Sequence, residues 1–482
     1  MAASDRTAGV TRRRAGIGSL PAGAPGDKGE AISGYLVFLL LGLGAGAVYA
    51  ALALGLVLTF RASGVVNFAH GAMAMYATYV FVELREAGDL VLPLVGLPAR
   101  FHLADRPPMA VAMGVALACA ALLGLAVYGL VFRPLRRAPV LARVVASVGV
   151  MVALQAVVVL RFGTGNRSVA AVLPARPVTL GHQVVPSDRL ALAGLAVLAA
   201  AVLWAVYRYT LFGLASRAAV QDERGLALLG WSPDVLAGAN WVVASVLAGL
   251  AGILVGPITA LNPVTYTLLV VPALAAALVG GLDSFGVATA AGLALGMAQS
   301  ELVRLQARFS ALPRLGLRDG LPLLVIVAAM ALRGGRRGAG GGVSGRVGAE
   351  EGTDRAGATP SRLPRAGLPR HPLRSAAACA TVAGASLFWL AGEYRLAMIT
   401  SMIGALVCLS LVVLTGYAGQ ISLAQMAFAG VAGFALSRLG GGLGVPFPLA
   451  PALAAGLAAL GGLLVGFPAR RGRGSSLAVV TL

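Results

Sequence analysis

Charge is what this sequence has least of. Only 12% of its 482 residues are Asp, Glu, Lys or Arg, against about a quarter in an average soluble domain. Lysine is nearly missing, with Lys28 alone. A phosphate-cradling P-loop needs a Lys directly after a glycine-rich turn, and Lys28 follows Ala24-Pro25-Gly26-Asp27 in a polar tail, so no nucleotide-hydrolysing site is expected. Three cysteines, Cys119, Cys379 and Cys408, lie in or at the edge of apolar runs, where a thiol acts as a small buried hydrophobe. They give no disulfide framework. Four histidines, His70, His102, His182 and His371, are far apart and lack the close pair spacings of metal motifs. No nucleophile with a nearby base and no paired carboxylates can be assembled. Catalytic residues, cofactors and metals are therefore not expected. The first 30 residues hold Arg6, Arg12, Arg13 and Arg14 but no apolar stretch before Ile32, unlike a cleavable signal.

What is abundant is apolar surface, at 58% of residues. Uncharged runs occupy 32–60, 62–82, 107–132, 144–160, 190–207, 235–261, 264–282, 284–300 and 320–332. Most approach the roughly 20 residues that a helix needs to cross a ~30 Å hydrocarbon core. The expected fold is all-α, a polytopic bundle of membrane helices in contact with lipid. The net charge of +20 is almost wholly arginine. It sits at the ends of runs and in one linker, the pattern of cytoplasmic loops, so nucleic acid is not the expected partner. Residues 334–374 break the pattern with Arg336, Arg337, glycines 338 and 340–342, and Pro360, Pro364, Pro369 and Pro372, a flexible linker composition. Apolar runs resume at 375–392, 396–415, 417–437 and 443–469. A last one begins at Ser475, so the second part reads as cut off inside a span at Leu482. The expected organisation is a polar tail over 1–31, a transmembrane domain over 32–333, the linker over 334–374 and a partial transmembrane domain over 375–482.

Arginine placement gives an orientation. Arg133, Arg136, Arg137 and Arg143 put the connection before residue 144 in the cytoplasm, and Arg208, Arg217 and Arg224 do the same for 208–234. With 264–282 and 284–300 as a tight pair turning at Asp283, the linker and the cluster Arg470, Arg471 and Arg473 also fall inside. Counting back puts the N-terminal tail outside, against its arginines, unless one of the first two runs is re-entrant. An internal repeat links the two parts. Laying 54–75 over 409–430 pairs Leu54 with Leu409, Val57 with Val412, Gly64 with Gly419, Ala69 with Ala424 and Ala72 with Ala427. In the same order, Arg136, Arg137 and Val145 lie over Arg470, Arg471 and Val479. Two parallel repeats, the second incomplete, are the expectation.

Polar residues within apolar runs mark the candidate sites. Asn67 and His70 stand in Gly64-Val65-Val66-Asn67-Phe68-Ala69-His70-Gly71, and the repeat sets Gln420, Ser422 and Gln425 in the equivalent stretch. Polar groups at membrane depth usually face a bundle interior or a pathway, and the glycines permit a broken helix. Two readings stand side by side: these residues flank a solute pathway, or they are interhelical hydrogen bonds that contribute about 0.6 kcal/mol each. The polar stretch from Arg208 to Trp231 reads as a short amphipathic helix between two spans, a docking surface for a soluble partner. Glu301 and Arg304, one turn apart, form a candidate local ion pair.

These stretches resemble permease subunits of bacterial branched-chain amino acid ABC importers, the LivH and LivM types. Gly55-Leu56-Val57-Leu58 leading into Val66-Asn67-Phe68-Ala69-His70-Gly71 is similar to the H-type signature. Arg133-Pro134-Leu135-Arg136, the stretch 222–230, Ala248-Gly249-Leu250-Ala251-Gly252 and Gly280-Gly281-Leu282-Asp283-Ser284-Phe285-Gly286 follow in the family's order. Gly416-Tyr417-Ala418-Gly419-Gln420-Ile421-Ser422-Leu423-Ala424-Gln425 resembles the M-type signature, which commonly has His where Gln425 stands. The resemblance implies an H-type permease fused to the start of an M-type one, in a bacterial inner membrane. It also implies ATP-binding-cassette ATPase subunits docking on a coupling loop with Asp222, Leu226, Leu229 and Gly230. At Arg224-Gly225-Leu226 the family usually has Glu-Ala-Ala. A periplasmic or lipoprotein solute-binding protein, and a complete M-type permease or the missing remainder of the second half, are the other implied partners. Permeases for urea, short amides or sugars, a passive channel and an inactive truncated remnant stay open as alternatives.

Overall fold

In hydrocarbon a backbone amide finds no water, so a spanning segment satisfies its own hydrogen bonds as a helix. The computed structural model follows that rule and describes residues 28–93, 100–174, 176–180, 183–309, 316–334, 372–389, 392–417 and 425–469. In order come α1 (Lys28–Ser63), α2 (His70–Glu86), α3 (Met109–Val127), α4 (Val140–Phe162), α5 (Ser187–Tyr209), α6 (Leu211–Gln221), α7 (Glu223–Leu228) and α8 (Pro233–Val255). Then follow α9 (Pro263–Leu268), α10 (Val270–Val279), α11 (Phe285–Arg308), α12 (Leu317–Gly334), α13 (Pro372–Trp389), α14 (Glu393–Leu411), α15 (Gln425–Leu436) and α16 (Leu449–Ala469). Two short antiparallel hairpins join helices at one end: β1 (Asp89–Val91) with β2 (Arg100–His102), and β3 (Pro177–Leu180) with β4 (Gln183–Pro186). That end is called the hairpin end below. The other, with the 133–139 turn and α6–α7, is the arginine-rich end.

Among the described residues, Tyr35–Ser63, Met109–Phe132, Ala142–Phe162, Ser187–Tyr209 and Pro233–Val255 are long and apolar enough to cross a membrane. Shorter apolar helices cover Pro263–Val279, Met398–Leu414 and Leu449–Leu463. The molecule is thus a helical membrane bundle, as its composition requires. Besides the run 62–82, which breaks at 64–69, the runs 235–261 and 264–282 differ in detail from the sequence expectation. The run 235–261 stops being helical at Val255, where Gly256 and Pro257 end α8, because Pro lacks an amide donor. The run 264–282 divides into α9 and α10 at Leu269. As expected, Asp283 lies in the turn between that pair and α11, with Ser284 capping α11 by accepting from the Val287 amide.

The packing centres on α1, which touches α5, α8, α10 and α11. Small residues let these backbones close, as at membrane helix interfaces generally. A Cβ placed on Gly296 would strike the Gly46 backbone, and one on Gly292 would lie 2.6 Å from the Ala50 nitrogen. Along the same seam Tyr49 donates to Gln299 Oε1 at 2.8 Å, and Gln299 passes a 3.0 Å bond to the Arg318 carbonyl. On the other side of the core, fully buried Trp241 of α8 stacks on Phe132 with ring centroids 4.5 Å apart. The Glu301–Arg304 pair is present at 3.9 Å.

Beyond residue 372, α15 and α16 pack on one another, and α15 has no buried residue. The linker, apart from Gly334 and residues 372–374, lies outside the described residues, as do the tail over 1–27 and the final run. The α1–α11 seam generates a stability prediction. Gly296→Ala forces a Cβ into the Gly46 backbone and is expected to cost about 1–3 kcal/mol, the usual penalty of overpacking. Thermal unfolding in detergent should show a lowered midpoint, whereas Gly194→Ala, which meets only open space inside α5, should not lower it.

Candidate functional site

The chain leaves α1 at Gly64, whose φ of +67° suits glycine and turns the backbone out of the helix. Six residues later α2 begins. The intervening amides must find partners, and side chains supply several. Asn67 Oδ1 accepts from the Ala69 amide at 3.0 Å, and its Nδ2 reaches Met73 Sδ at 3.7 Å. The Phe68 amide donates to Ser147 Oγ of α4 at 3.4 Å. Arg143 donates to the Ser63 carbonyl at 2.8 Å. The expectation of a broken helix at this stretch therefore holds, with the run 62–82 split at 64–69.

His70 opens α2 and is 1% exposed. Its ring lies over Gly55 of α1, so close that a Cβ there would collide with it, and the Ala244 carbonyl of α8 borders the same spot. Neither ring nitrogen has a hydrogen-bond partner among the described residues. Gly71 presses against the Thr267 carbonyl of α9, 2.5 Å from where its Cβ would stand. Asn67, His70 and Gly71 thus meet at one buried junction of α1, α2, α4, α8 and α9. An apolar crevice of about 30 Å³ between α1, α5 and α8, lined by Ala51, Leu192, Ala196 and Leu250 among others, takes in none of them. In the second part, Gln425 lies in α15, and its Oε1 accepts from Ser410 at 3.1 Å. Gln420 and Ser422 lie outside the described residues.

At the arginine-rich end the polar stretch is two helices rather than one. Thr210 caps α6 by accepting from the Gly213 amide at 3.2 Å. Asp222 caps α7 through Oδ1, 3.0 Å from both the Arg224 and Gly225 amides, the usual role of Asp at such a position. Gly230 closes the segment with φ +85°. Of the two leucines that the resemblance assigns to docking, Leu226 is buried with Ala215 and Leu236. Leu229 is 77% exposed, and its neighbour Leu228 is 90% exposed. A cluster that the sequence reading missed holds this segment. Arg136 reaches Glu223 of α7 with one arm and Asp234 of α8, at 2.5 Å, with the other. Arg133 at 3.4 Å and the Tyr128 hydroxyl at 3.2 Å converge on the same Asp234.

At the hairpin end Glu83, buried near the C-terminus of α2, holds Arg167 at 2.8 Å and Arg100 at 3.2 Å. Arg167 is itself paired through its backbone with Leu261. His102, given no role by the sequence, stands exposed between Asp89 at 2.9 Å and Asp105 at 3.2 Å. The hydrogen bond to Asp89, with Asp105 beside it, raises the imidazole above its ordinary value of 6.5. A cation raised in the folded state stabilises fully below the unfolded value and loses that effect as pH rises through the folded one. The β1–β2 hairpin should therefore be held most firmly below about pH 6.5 and loosen as His102 deprotonates. An NMR titration is expected to place the His102 midpoint above 6.5, and Asp89→Asn should lower it.

Comparison with known proteins places this geometry. The profile of a family described as branched-chain amino acid transport system / permease component matches residues 38–330, a span that includes the buried junction and α6–α7 and ends before α13. The high-affinity branched-chain amino acid transport system permease protein LivH of Salmonella typhimurium is 29% identical over 280 residues, covering 55% of this chain and 85% of its own. LivH of Escherichia coli K12 matches to the same extent. The permease protein BraD of Pseudomonas aeruginosa is 27% identical over 277 residues, with the same shares covered. No solved structure matches. With its membrane-length helices and this match over more than half its length, the chain belongs to the permease component family of branched-chain amino acid transport systems and is a multi-pass inner-membrane protein.

Proposed function

We propose that this chain is a permease subunit of an ATP-binding-cassette importer that moves branched-chain or other hydrophobic amino acids across the bacterial inner membrane by alternating access. Separate ATPase subunits drive it, and a periplasmic or lipoprotein solute-binding protein supplies the solute. The observation that carries this reading is the α6–α7 segment. It projects Leu228 and Leu229 into solvent, 90% and 77% exposed, while Leu226 roots it in the bundle. An apolar tip on an anchored helical step is the kind of surface that a soluble motor subunit grips. Asp222 shapes that step as its cap, and Gly230 turns the chain out of it.

In the same reading, residues 32–333 form an H-type permease domain, 334–374 a cytoplasmic linker and 375–482 a partial M-type domain. The matched residues of 54–75 and 409–430, with Arg136 and Arg137 over Arg470 and Arg471, support the repeat. A complete M-type permease, or the remainder of the second half, completes the pathway. Asn67, His70 and Gly71, with Gln420, Ser422 and Gln425, flank that pathway at sequence positions made equivalent by the repeat. What supports the role of His70 is a buried imidazole with unused hydrogen-bonding capacity, which is costly to maintain for packing alone.

The test is co-purification of the chain in lipid with candidate ATPase subunits, followed by hydrolysis and uptake assays with binding protein loaded with leucine, isoleucine or valine. Stimulated hydrolysis is expected, with Leu228→Asp and Leu229→Asp together lowering it at least tenfold. Absence of stimulation by every loaded binding protein would overturn the reading. His70→Leu should lower uptake while leaving ATPase assembly intact; unchanged uptake would assign His70 to packing.

A further inference from the structure

We propose that Arg136 is a positioning residue that clamps the α6–α7 step to the 133–139 turn, so that movement of the step is delivered to α4 and to the helix break at 64–69. The proposal rests on the reading of α6–α7 as the ATPase contact. The α6–α7 step is otherwise tied to α1, α5 and α8. Leu226 packs with Leu236, and Asn240 of α8 bonds Tyr207 of α5 and lies 3.5 Å from Ser216 of α6. None of those contacts reaches the turn between α3 and α4.

Arg136 does. Its guanidinium puts one nitrogen on Glu223, the first residue of α7, and the other on Asp234, in the first turn of α8. A planar fork with several donors spans two carboxylates at once, which the single ammonium of Lys does not. Arg133 and Tyr128 fix Asp234 from the side of the turn, so the acceptor is itself held. From the turn the chain runs straight into α4 at Val140. Two α4 residues then reach the break: Arg143 bonds the Ser63 carbonyl at 2.8 Å, and Ser147 bonds the Phe68 amide at 3.4 Å. Glu223, Arg136, α4, Ser147 and the Asn67–His70 stretch thus form one contiguous chain of contacts from the exposed step to the buried junction. Such a chain is a route for coupling only where both ends respond to a change within it.

The side chains of Arg136, Glu223 and Asp234 are 36%, 51% and 33% exposed. Ion pairs this wet contribute little to fold stability. Removing the clamp should therefore leave the protein folded, and its effect should appear in coupling.

In the reconstituted complex, Arg136→Gln is expected to lower solute moved per ATP hydrolysed about tenfold, with the melting temperature and ATPase binding unchanged. Glu223→Gln should act in the same direction. The double variant should be no worse than Arg136→Gln alone, because that variant has already lost the contact with Glu223, and Arg136→Lys should recover part of the ratio. An unchanged ratio, or two single effects that add, would overturn the proposal. A second measurement reads the clamp without any ATPase. Spin labels on Leu228→Cys and Leu130→Cys, both on exposed positions, with the native cysteines replaced, should give a narrow distance distribution that broadens in Arg136→Gln. Equal widths would overturn the clamp, whereas a chain that shows the clamp but never couples to an ATPase would overturn only the reading on which it rests.

Discussion

A peptide group moved from water into hydrocarbon keeps its need for a hydrogen-bond partner, and this need governs everything else in the structure. It makes each span a helix and confines irregular backbone to places where protein covers it. The stretch at 64–69 shows the consequence. Where α1 ends at Gly64, the freed amides and carbonyls are taken up by Asn67, Ser147 and Arg143, and the junction closes so completely that Asn67 is fully buried. A break in a membrane helix requires a shell of partners, and here that shell draws on the break's own Asn67 and on Arg143 and Ser147 of α4.

The same constraint explains the small residues. Once backbone groups are satisfied within each helix, association depends on close packing rather than on exclusion of water. Gly46, Gly292 and Gly296 let α1 and α11 approach to backbone contact, and Gly124 does so where α3 meets Ser245 of α8. Gly55 serves another purpose, making room for the His70 ring. Most buried hydroxyls turn back on a carbonyl of their own helix, as Thr59, Thr78 and Ser245 do, while Tyr49 pairs across helices with Gln299. His70, with neither ring nitrogen paired among the described residues, shares that state with the Tyr79 hydroxyl and the Trp241 indole N–H.

Charge is pushed to the two ends, and each end uses it differently. At the hairpin end, Glu83 gathers Arg100 and Arg167 onto the last turn of α2, the helix that begins at the buried junction. At the arginine-rich end, Arg61 lies over Phe285 with its guanidinium carbon 4.7 Å from the ring centroid and pairs with Asp283 at 2.8 Å. There it joins the end of α1 to the start of α11. Arg136 does the equivalent for α7 and α8. The arginines that give this chain its positive charge therefore include specific ties between elements as well as an orientation signal.

Run lengths and arginine placement made the helical membrane class legible from composition alone, because burial of apolar residues in lipid leaves no other economical arrangement. The glycines at 64 and 71 announced a break, and the polar stretch after Arg208 announced a helical step outside the spans. The sequence did not reveal where within the run 62–82 helix resumes, since an apolar residue is equally at home in either state. Nor did it reveal that Leu226 faces inward while Leu228 and Leu229 face out, which is decided by the neighbouring Ala215 and Leu236. The partners of Arg136, Glu83 and His102 were illegible for a simpler reason. Arg136 and Asp234 are 98 residues apart, and only the packing of α3, α7 and α8 brings their charges within a hydrogen bond. By itself the sequence determined the solvent, the class of fold and the places where polar residues enter the membrane. The tertiary structure decided which of those residues meet, because distances between helices are set by side-chain packing that no single segment encodes.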